Sequence, residues 1–394
     1  MSGALYNEYP RSYAYSGDAS ATPEPAVVRV GQDNTLLLIT LVLLIFGLMA
    51  VFTATANQAQ IESGNSFALV IKQLIAMVVG FVGLVLLSKM HFGIWKKMAY
   101  PAAIIAIVLL GLTSLVGVTA NGSERWIPLP FGFQLQPSDI AKIAAIFLIA
   151  HCTSLSKWWG KFWFPQVFLN IALVGVMFVL IYQQPNLSVS MILAITSLAM
   201  VFVSGFPVIL LLAVVPPAFW VVYQKILTTP YQKKRIDGWL DPWGDALNTG
   251  YNLIQSYYAI GSGGLLGVGL GHSIQKLDYL PFQHTDFIYS VICEELGFLG
   301  ALIPIGLYVL LAWRGFAISL NCPNAFGRML AFGLTLSILL QAGINICVTT
   351  GLMPVTGVTL PLISYGGTSV VTTLAMIGIL LNISRYRANP NASY

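Results

Sequence analysis

The feature that most constrains this chain is a succession of apolar runs at 36–56, 66–88, 99–118, 139–155, 164–183, 187–204, 207–225, 286–313, 328–350 and 360–383. Each is close to the length of a bilayer crossing, which takes about 20 largely apolar residues. With 57% hydrophobic and only 8% charged residues, the chain is excluded from the water-soluble globular class, where about a quarter of residues carry charge. The fold expected is an all-α polytopic membrane protein with ten transmembrane helices, residues 34–385 forming the membrane domain. Residues 1–33 mix Gly, Ser, Pro, Tyr and isolated charges without a helical period and read as a disordered tail. No cleavable leader is expected, because the first long apolar run begins only at Leu36.

Basic residues in short loops are retained on the cytoplasmic side of a membrane. Arg11, Arg29, Lys89, Lys96, Lys97, Lys157, Lys161, Arg314, Arg328, Arg385 and Arg387 fall on one side of the ten-crossing arrangement, against Lys72 and Arg125 in the short loops of the other. Both termini, including a short tail at 386–394, are therefore expected in the cytoplasm, which requires an even number of crossings. That parity decides the apolar stretch Tyr251–Gly271, interrupted by Gly261, Gly263, Gly264, Gly267, Gly269 and Gly271. It reads as an interfacial or re-entrant element within one large extracytoplasmic loop, 226–285, between the seventh and eighth helices. Glycine-rich backbone at membrane depth is tolerated only where protein or a wet cavity satisfies it.

The net charge of +5 is modest and gives no nucleic-acid signature. Cys152, Cys293, Cys322 and Cys347 are too scattered for a disulfide framework, and His91, His151, His272 and His284 for a zinc site. Gly264, Gly267 and Gly269 lack the order of a dinucleotide-binding loop. Ser273-Ile274-Gln275-Lys276 matches the S-x-x-K of penicillin-binding acyl enzymes without its S-D-N and K-T-G companions, and is read as chance.

Chemistry concentrates around the large loop, which holds Lys225, Lys233, Lys234, Arg235, Asp237, Asp241, Asp245, Lys276, Asp278, His284 and Asp286. Asp286 stands where the loop enters the eighth apolar run, with Glu294 and Glu295 two turns further on. An ionisable group there is a functional candidate by default, and partial desolvation makes a carboxylate a better general base. The competing reading is an aspartate that caps the start of the helix. Asp139 and Lys142, three apart in the fourth run, share a helix face and can pair. Arg125 and Lys142 are placed to face an anionic ligand from the outer side, a guanidinium being well matched to diphosphate oxygens.

The ordered stretches Gly250-Tyr251-Asn252-Leu253-Ile254-Gln255-Ser256, Ala259 to Gly264, Gly267-Val268-Gly269-Leu270-Gly271, Tyr279-Leu280-Pro281, His284-Thr285-Asp286-Phe287-Ile288 and Glu294-Glu295-Leu296-Gly297 resemble the SEDS family (shape, elongation, division and sporulation). So do Gly351 to Gly357 and Leu360 to Gly367. The resemblance covers about 36–385. Thr356 and the Thr359-Leu360-Pro361-Leu362 wording are more similar to the division and sporulation branch than to the elongation branch.

The resemblance implies a ten-helix peptidoglycan glycosyltransferase that polymerises lipid II at the outer face of the bacterial cytoplasmic membrane. It also implies a class B penicillin-binding protein as cross-linking partner, alongside other division proteins, and a divalent cation, Mg2+ or Mn2+, with no organic cofactor. Asp286 matches the family's essential aspartate, and Asp139 and Lys142 match the acidic residue and lysine of its Q-P-S-E-x-x-K motif. Here Asp139 stands where glutamate is usual, and Asn186 where aspartate is usual. The site expected has Asp286 as base or metal ligand, with Arg125, Asp139, Lys142, Lys233, Lys234, Arg235 and His284 facing substrate. The rival readings are a lipid II flippase and a non-catalytic scaffold. A flippase needs polar residues along its whole path, whereas the intramembrane charges here gather toward one side.

Overall fold

The computed structural model describes residues 27–388, apart from 117, 121–122, 131–133, 155–162, 185, 206–215, 217–219, 221–222, 225–227 and 278. Outside the described residues fall almost all of the expected N-terminal tail, most of the seventh apolar run, Lys157, Lys161, Lys225, Asp278 and most of the C-terminal tail.

The apolar runs fold as helices: α1 (Asn34–Ser63), α2 (Ala68–Lys89), α4 (Ala99–Val116), α5 (Pro137–Ser154), α6 (Trp163–Gln183) and α7 (Leu187–Val203). Short α3 (Gly93–Lys97) joins α2 to α4. After the large loop come α10 (Ile288–Asn321), α11 (Ala325–Thr349) and α12 (Gly367–Ile383). Among the described residues four helical segments are long and apolar enough to cross a membrane: Asn34–Ile61 of α1, α2, α10 and α11. Shorter apolar helices are Ala99–Thr113, Val167–Gln183, Leu187–Val203 and Gly367–Ile383. This is a helical, multi-pass membrane protein.

Helix α5 is its centre. Ala141, Ala144, Ala145, Ile146, Leu148, Ile149 and Ala150 bury it on every side, as a helix apolar all round requires. Its alanines let α4, α6, α7, α11 and α12 approach closely.

The two ends of the described chain meet at one face. Strand β1 (Val27–Arg29) pairs antiparallel with β5 (Tyr386–Ala388). Asp33 caps α1 by accepting from the Leu36 amide at 2.9 Å, and it pairs with Arg314. Trp95 donates to Asn382 Oδ1 at 2.9 Å on the same face. Lys89, Lys96 and Lys97, at the end of α2 and in α3, join Arg314 and Arg385 there.

Two features depart from the sequence expectations, and a third adds detail to the large loop. The fold is not purely helical, because β2 (Val118–Ala120), β3 (Ser123–Pro128) and β4 (Gln134–Leu135) form a small antiparallel sheet before α5. The last apolar run is helical only from Gly367, and residues 360–366 form an irregular turn in which Leu362 adopts φ 65°. Within the large loop, helices α8 (Pro230–Leu240) and α9 (Tyr251–Gly263) form. At 13 residues α9 is too short to cross. It packs along α10 through Leu253, Ile254, Ser256 and Ala259, as an element folded back on the bundle.

Candidate active site

On the face opposite the chain ends, the loops close round a cavity of about 610 Å3, well within the range of small-molecule sites. Four cationic side chains line it, Lys72, Arg125, Lys142 and Arg235, against two carboxylates, Asp139 and Asp286. The remaining polar lining includes Gln73, Gln136, Gln341, Thr359 and Ser369. The balance of fixed charge favours an anion.

Asp286 is carried on a tight turn. The amides of Thr285, Asp286 and Phe287 all donate to the Phe282 carbonyl at 3.1–3.3 Å, and Phe282 takes φ 58° to allow it. Neighbouring elements hold the turn by its backbone. Asn345 Nδ2 of α11 donates to the Asp286 carbonyl at 2.8 Å, Ser364 Oγ to the Thr285 carbonyl at 2.5 Å and the Tyr365 amide to the His284 carbonyl at 2.8 Å. Every anchor therefore takes main chain and leaves the carboxyl to the cavity. The capping alternative is excluded: α10 is capped at Phe287 with no side-chain hydrogen bond. Burial pushes the Asp286 carboxyl up to about 6, while the Arg235 and Arg125 guanidinium groups pull it back.

Strand β3 presents Arg125, which is buried and donates from Nε to the Gln184 carbonyl at 3.2 Å. Gln184 is itself fixed by donating to the Leu110 carbonyl at 2.9 Å and Thr113 Oγ1 at 2.5 Å. At the start of α5, Asp139 in the first turn and Lys142 in the second pair at 2.9 Å, both buried. Lys142 also donates to Gln341 Oε1 of α11 at 2.6 Å. Gln341 in turn donates to Thr359 and Ser369. Asp139 Oδ2 has no hydrogen-bond partner among the described residues.

The basic run at 233–235 divides. Arg235 lines the cavity, whereas Lys233 and Lys234 are exposed on the outer side of α8 and do not line it. The helical spacing turns only one of three consecutive side chains inward. His284 does not line the cavity either; its ring meets Tyr365 edge-on at 5.6 Å. Asn186 caps α7 by accepting from the Val189 amide and reaches Ser138 Oγ at 3.5 Å. The sequence reading passed over Gln341 and Asn345, whose only signal was an amide inside an apolar helix. It also used Lys72 only to assign sides.

Among the described residues no group of three His, Cys, Asp or Glu is arranged for a metal. The donors fit a divalent cation only as a shared ion, with one carboxylate from Asp286 and the rest from substrate oxygens and water, a mode common for hard cations beside phosphates.

Residues 34–389 match the sequence profile of the FtsW, RodA and SpoVE family, described as cell cycle proteins. The stage V sporulation protein E of Bacillus subtilis is 38% identical over 363 residues, which span 91% of this chain and 98% of that protein. A probable peptidoglycan glycosyltransferase FtsW from Geobacter sp. strain M18 is 35% identical over 356 residues, 90% of this chain and 97% of its own. Among solved structures, a chain of a peptidoglycan synthase complex that coordinates polymerization and crosslinking aligns with a TM-score of 0.74 at 30% identity, over 90% of this chain and 98% of that one. The rod shape determining protein RodA of Thermus thermophilus aligns with a TM-score of 0.65 at 27% identity, over 90% and 97%. By the profile match, the near-complete relatives and the shared fold, this chain belongs to the FtsW, RodA and SpoVE family.

Proposed function

We propose that this chain is an inverting peptidoglycan glycosyltransferase that polymerises lipid II at the outer face of the bacterial cytoplasmic membrane, in division or sporulation. The observation that carries the reading is the Asp286 carboxyl, aimed into a cavity lined by Lys72, Arg125, Lys142 and Arg235 while its turn is held through main chain alone. The relatives named FtsW and stage V sporulation protein E support the same activity and branch. Ten crossings, with 226–285 extracytoplasmic and both termini cytoplasmic, complete the arrangement. The pairing of β1 with β5 supports it by bringing both ends to one face beside the basic residues.

In the reaction, the C4 hydroxyl of an acceptor lipid II attacks the anomeric carbon of a glycan chain α-linked to undecaprenyl diphosphate. The new β-1,4 bond forms as the bond to diphosphate breaks. Asp286, ionised, takes the hydroxyl proton. Arg125, Lys142, Arg235 and Lys72 face the diphosphate charge as it develops, where donors fixed in advance stabilise it most. In its alternative role as metal ligand, Asp286 would hold a divalent cation, Mg2+ or Mn2+, which would supply further neutralisation of charge on the leaving group. The protein works beside a class B penicillin-binding protein that cross-links its product, in line with the synthase complex whose chain it resembles.

The test is glycan synthesis by purified protein, with and without the transpeptidase, from lipid II and divalent cation. Wild type forms polymer and an equally folded Asp286→Asn does not. Normal polymer from the variant refutes the assignment of the base, and no polymer from either, with partner and cation present, refutes the enzyme reading.

A further inference from the structure

Helix α10 is interrupted. Gly297 stands at φ 67° and ψ −168°, leaving a short segment, 288–296, that begins two residues after Asp286 and is separated from the long body at 298–321. In an unbroken helix the amides of Phe298 and Leu299 would bond to the carbonyls of Glu294 and Glu295, four residues back. Here the loop after α9 takes both places. The Phe298 amide donates to the Gly264 carbonyl at 2.9 Å and the Leu299 amide to Leu265 at 3.3 Å. The Glu294 and Glu295 carbonyls accept instead from the amides of Val268 and Gly269, each at 3.0 Å. The loop is spliced into the hydrogen-bond ladder of the helix. The contact is so close that a Cβ on Gly267 would meet the Glu295 carbonyl oxygen at 2.2 Å, and one on Gly297 the Gly267 nitrogen at 2.3 Å.

Side chains lock the splice. Glu294 accepts from Ser273 Oγ and from the Ile274 amide at 2.9 Å. Glu295 pairs with Lys276 at 3.0 Å. Ser273, Lys276, Glu294 and Glu295 are all buried, and none of them lines the cavity. The S-x-x-K sequence is thus neither a nucleophile motif nor chance: its serine and lysine are spaced to meet two consecutive glutamates.

The short segment 288–296 lacks a continuous helix behind it, so its direction is set by the clasp at its C-terminal end together with the bonds that Asn345 and Ser364 make to the turn at its start. We propose that Glu295 and Lys276, with Glu294 and Ser273, are positioning residues for the glycosyl transfer: by clasping loop 264–276 into the break in α10 they fix where the segment delivers Asp286. The inference rests on the reading of Asp286 as the base, and its action is on geometry. A small displacement of a reacting group lowers turnover steeply without removing binding contacts.

The experiment compares full-length wild type, Lys276→Met, the charge exchange Lys276→Glu with Glu295→Lys, and Asp286→Asn, each in lipid nanodiscs with the transpeptidase. Lys276→Met is expected to lower kcat for lipid II polymerisation by about 10- to 100-fold, with KM within about twofold. Amide hydrogen exchange rises in 264–277 and 286–299 and is unchanged in 325–349. The charge exchange restores most of kcat and of the protection. Asp286→Asn loses polymerisation with wild-type exchange in the clasp. Retention of kcat by Lys276→Met, or a folded charge-exchange protein that stays slow, overturns the positioning role and leaves the base assignment standing. If Lys276→Met fails to fold, the charge-exchange protein decides alone. An active Asp286→Asn overturns the base assignment and this inference with it.

Discussion

Two regions at the start of α10 take charged groups out of water within a few residues of one another, and they treat them in opposite ways. In the clasp, Glu294 is saturated by Ser273 and loop amides, and Glu295 is matched to Lys276. In the cavity, the carboxyl of Asp286 accepts no hydrogen bond from the described residues. Arg235 and Arg125 act on it through space. A buried charge with a full set of partners has been solvated by the protein and holds the fold. A carboxylate whose backbone is anchored and whose side chain is left to a cavity is kept for a ligand or a proton. What separates structure from chemistry here is the completeness of the partners, together with the partial exposure that the cavity gives Asp286.

The strongest way to break that distinction is to neutralise one carboxylate of each kind. Asp286→Asn is expected to reduce polymerisation by about 10²- to 10⁴-fold while leaving the thermal transition of the purified protein unchanged or raised. The direction follows from linkage: burial lifts this carboxyl to about 6 in the folded protein, so its contribution to stability is present below the unfolded value and lost as pH rises through 6. Asparagine escapes that loss. Glu294→Gln or Glu295→Gln, read by the same melting measurement, should lower the transition. Destabilisation by Asp286→Asn at pH 8 would place it with the clasp.

Lys142 sharpens the comparison because it belongs to both kinds, paired with Asp139 and Gln341 yet lining the cavity. Lys142→Met is expected to lower polymerisation about 10²-fold and also to reduce folded yield, since it strands a buried carboxylate. The double variant with Asp139→Asn removes the stranded charge. Folded yield should recover and the rate should not; recovery of both would make the pair purely structural.

Acidity probes the cavity alone. With Asp286 near 6, kcat/KM for lipid II should fall about tenfold per unit below that value and level off above it. The acid limb should be missing from whatever residual rate Asp286→Asn retains. An unchanged limb in the variant would assign it to another group.

Much of the bundle was legible because apolar length is a strong signal: α2, α4, α5, α6 and α7 lie within a few residues of their runs, and α1 starts near its run but continues seven residues past it. The start of α12 was misplaced by seven residues of apolar, glycine-flanked turn that only tertiary contacts, such as Ser364 to Thr285, hold open. Asp286, Arg125 and Lys142 were legible as charges where charge is expensive. Gln341 and Asn345 were not, because an amide in an apolar helix gives no sign of what it faces. Lys233 and Lys234 were read inward with Arg235 because a run of charges has no direction until its helix does. The splice was out of reach: an α10 ladder completed by residues about thirty positions earlier leaves no local period to read.

The smallest effect concerns Asn186, the N-cap of α7. Its side chain accepts from the Val189 amide, and it does not line the cavity. By the completeness criterion it belongs with the clasp. Asn186→Ala should then cost about 1 kcal/mol of stability through loss of the α7 cap, with kcat and the pH limb unchanged. Asn186→Asp keeps an acceptor for Val189 and should be nearly neutral. It would lose its donor to Ser138, but the serine hydroxyl can rotate to donate in return. A rise in polymerisation in Asn186→Asp, measured against unchanged melting, would show that a carboxylate at this position acts in the cavity after all, and that a capping bond alone is too weak a mark of a structural residue.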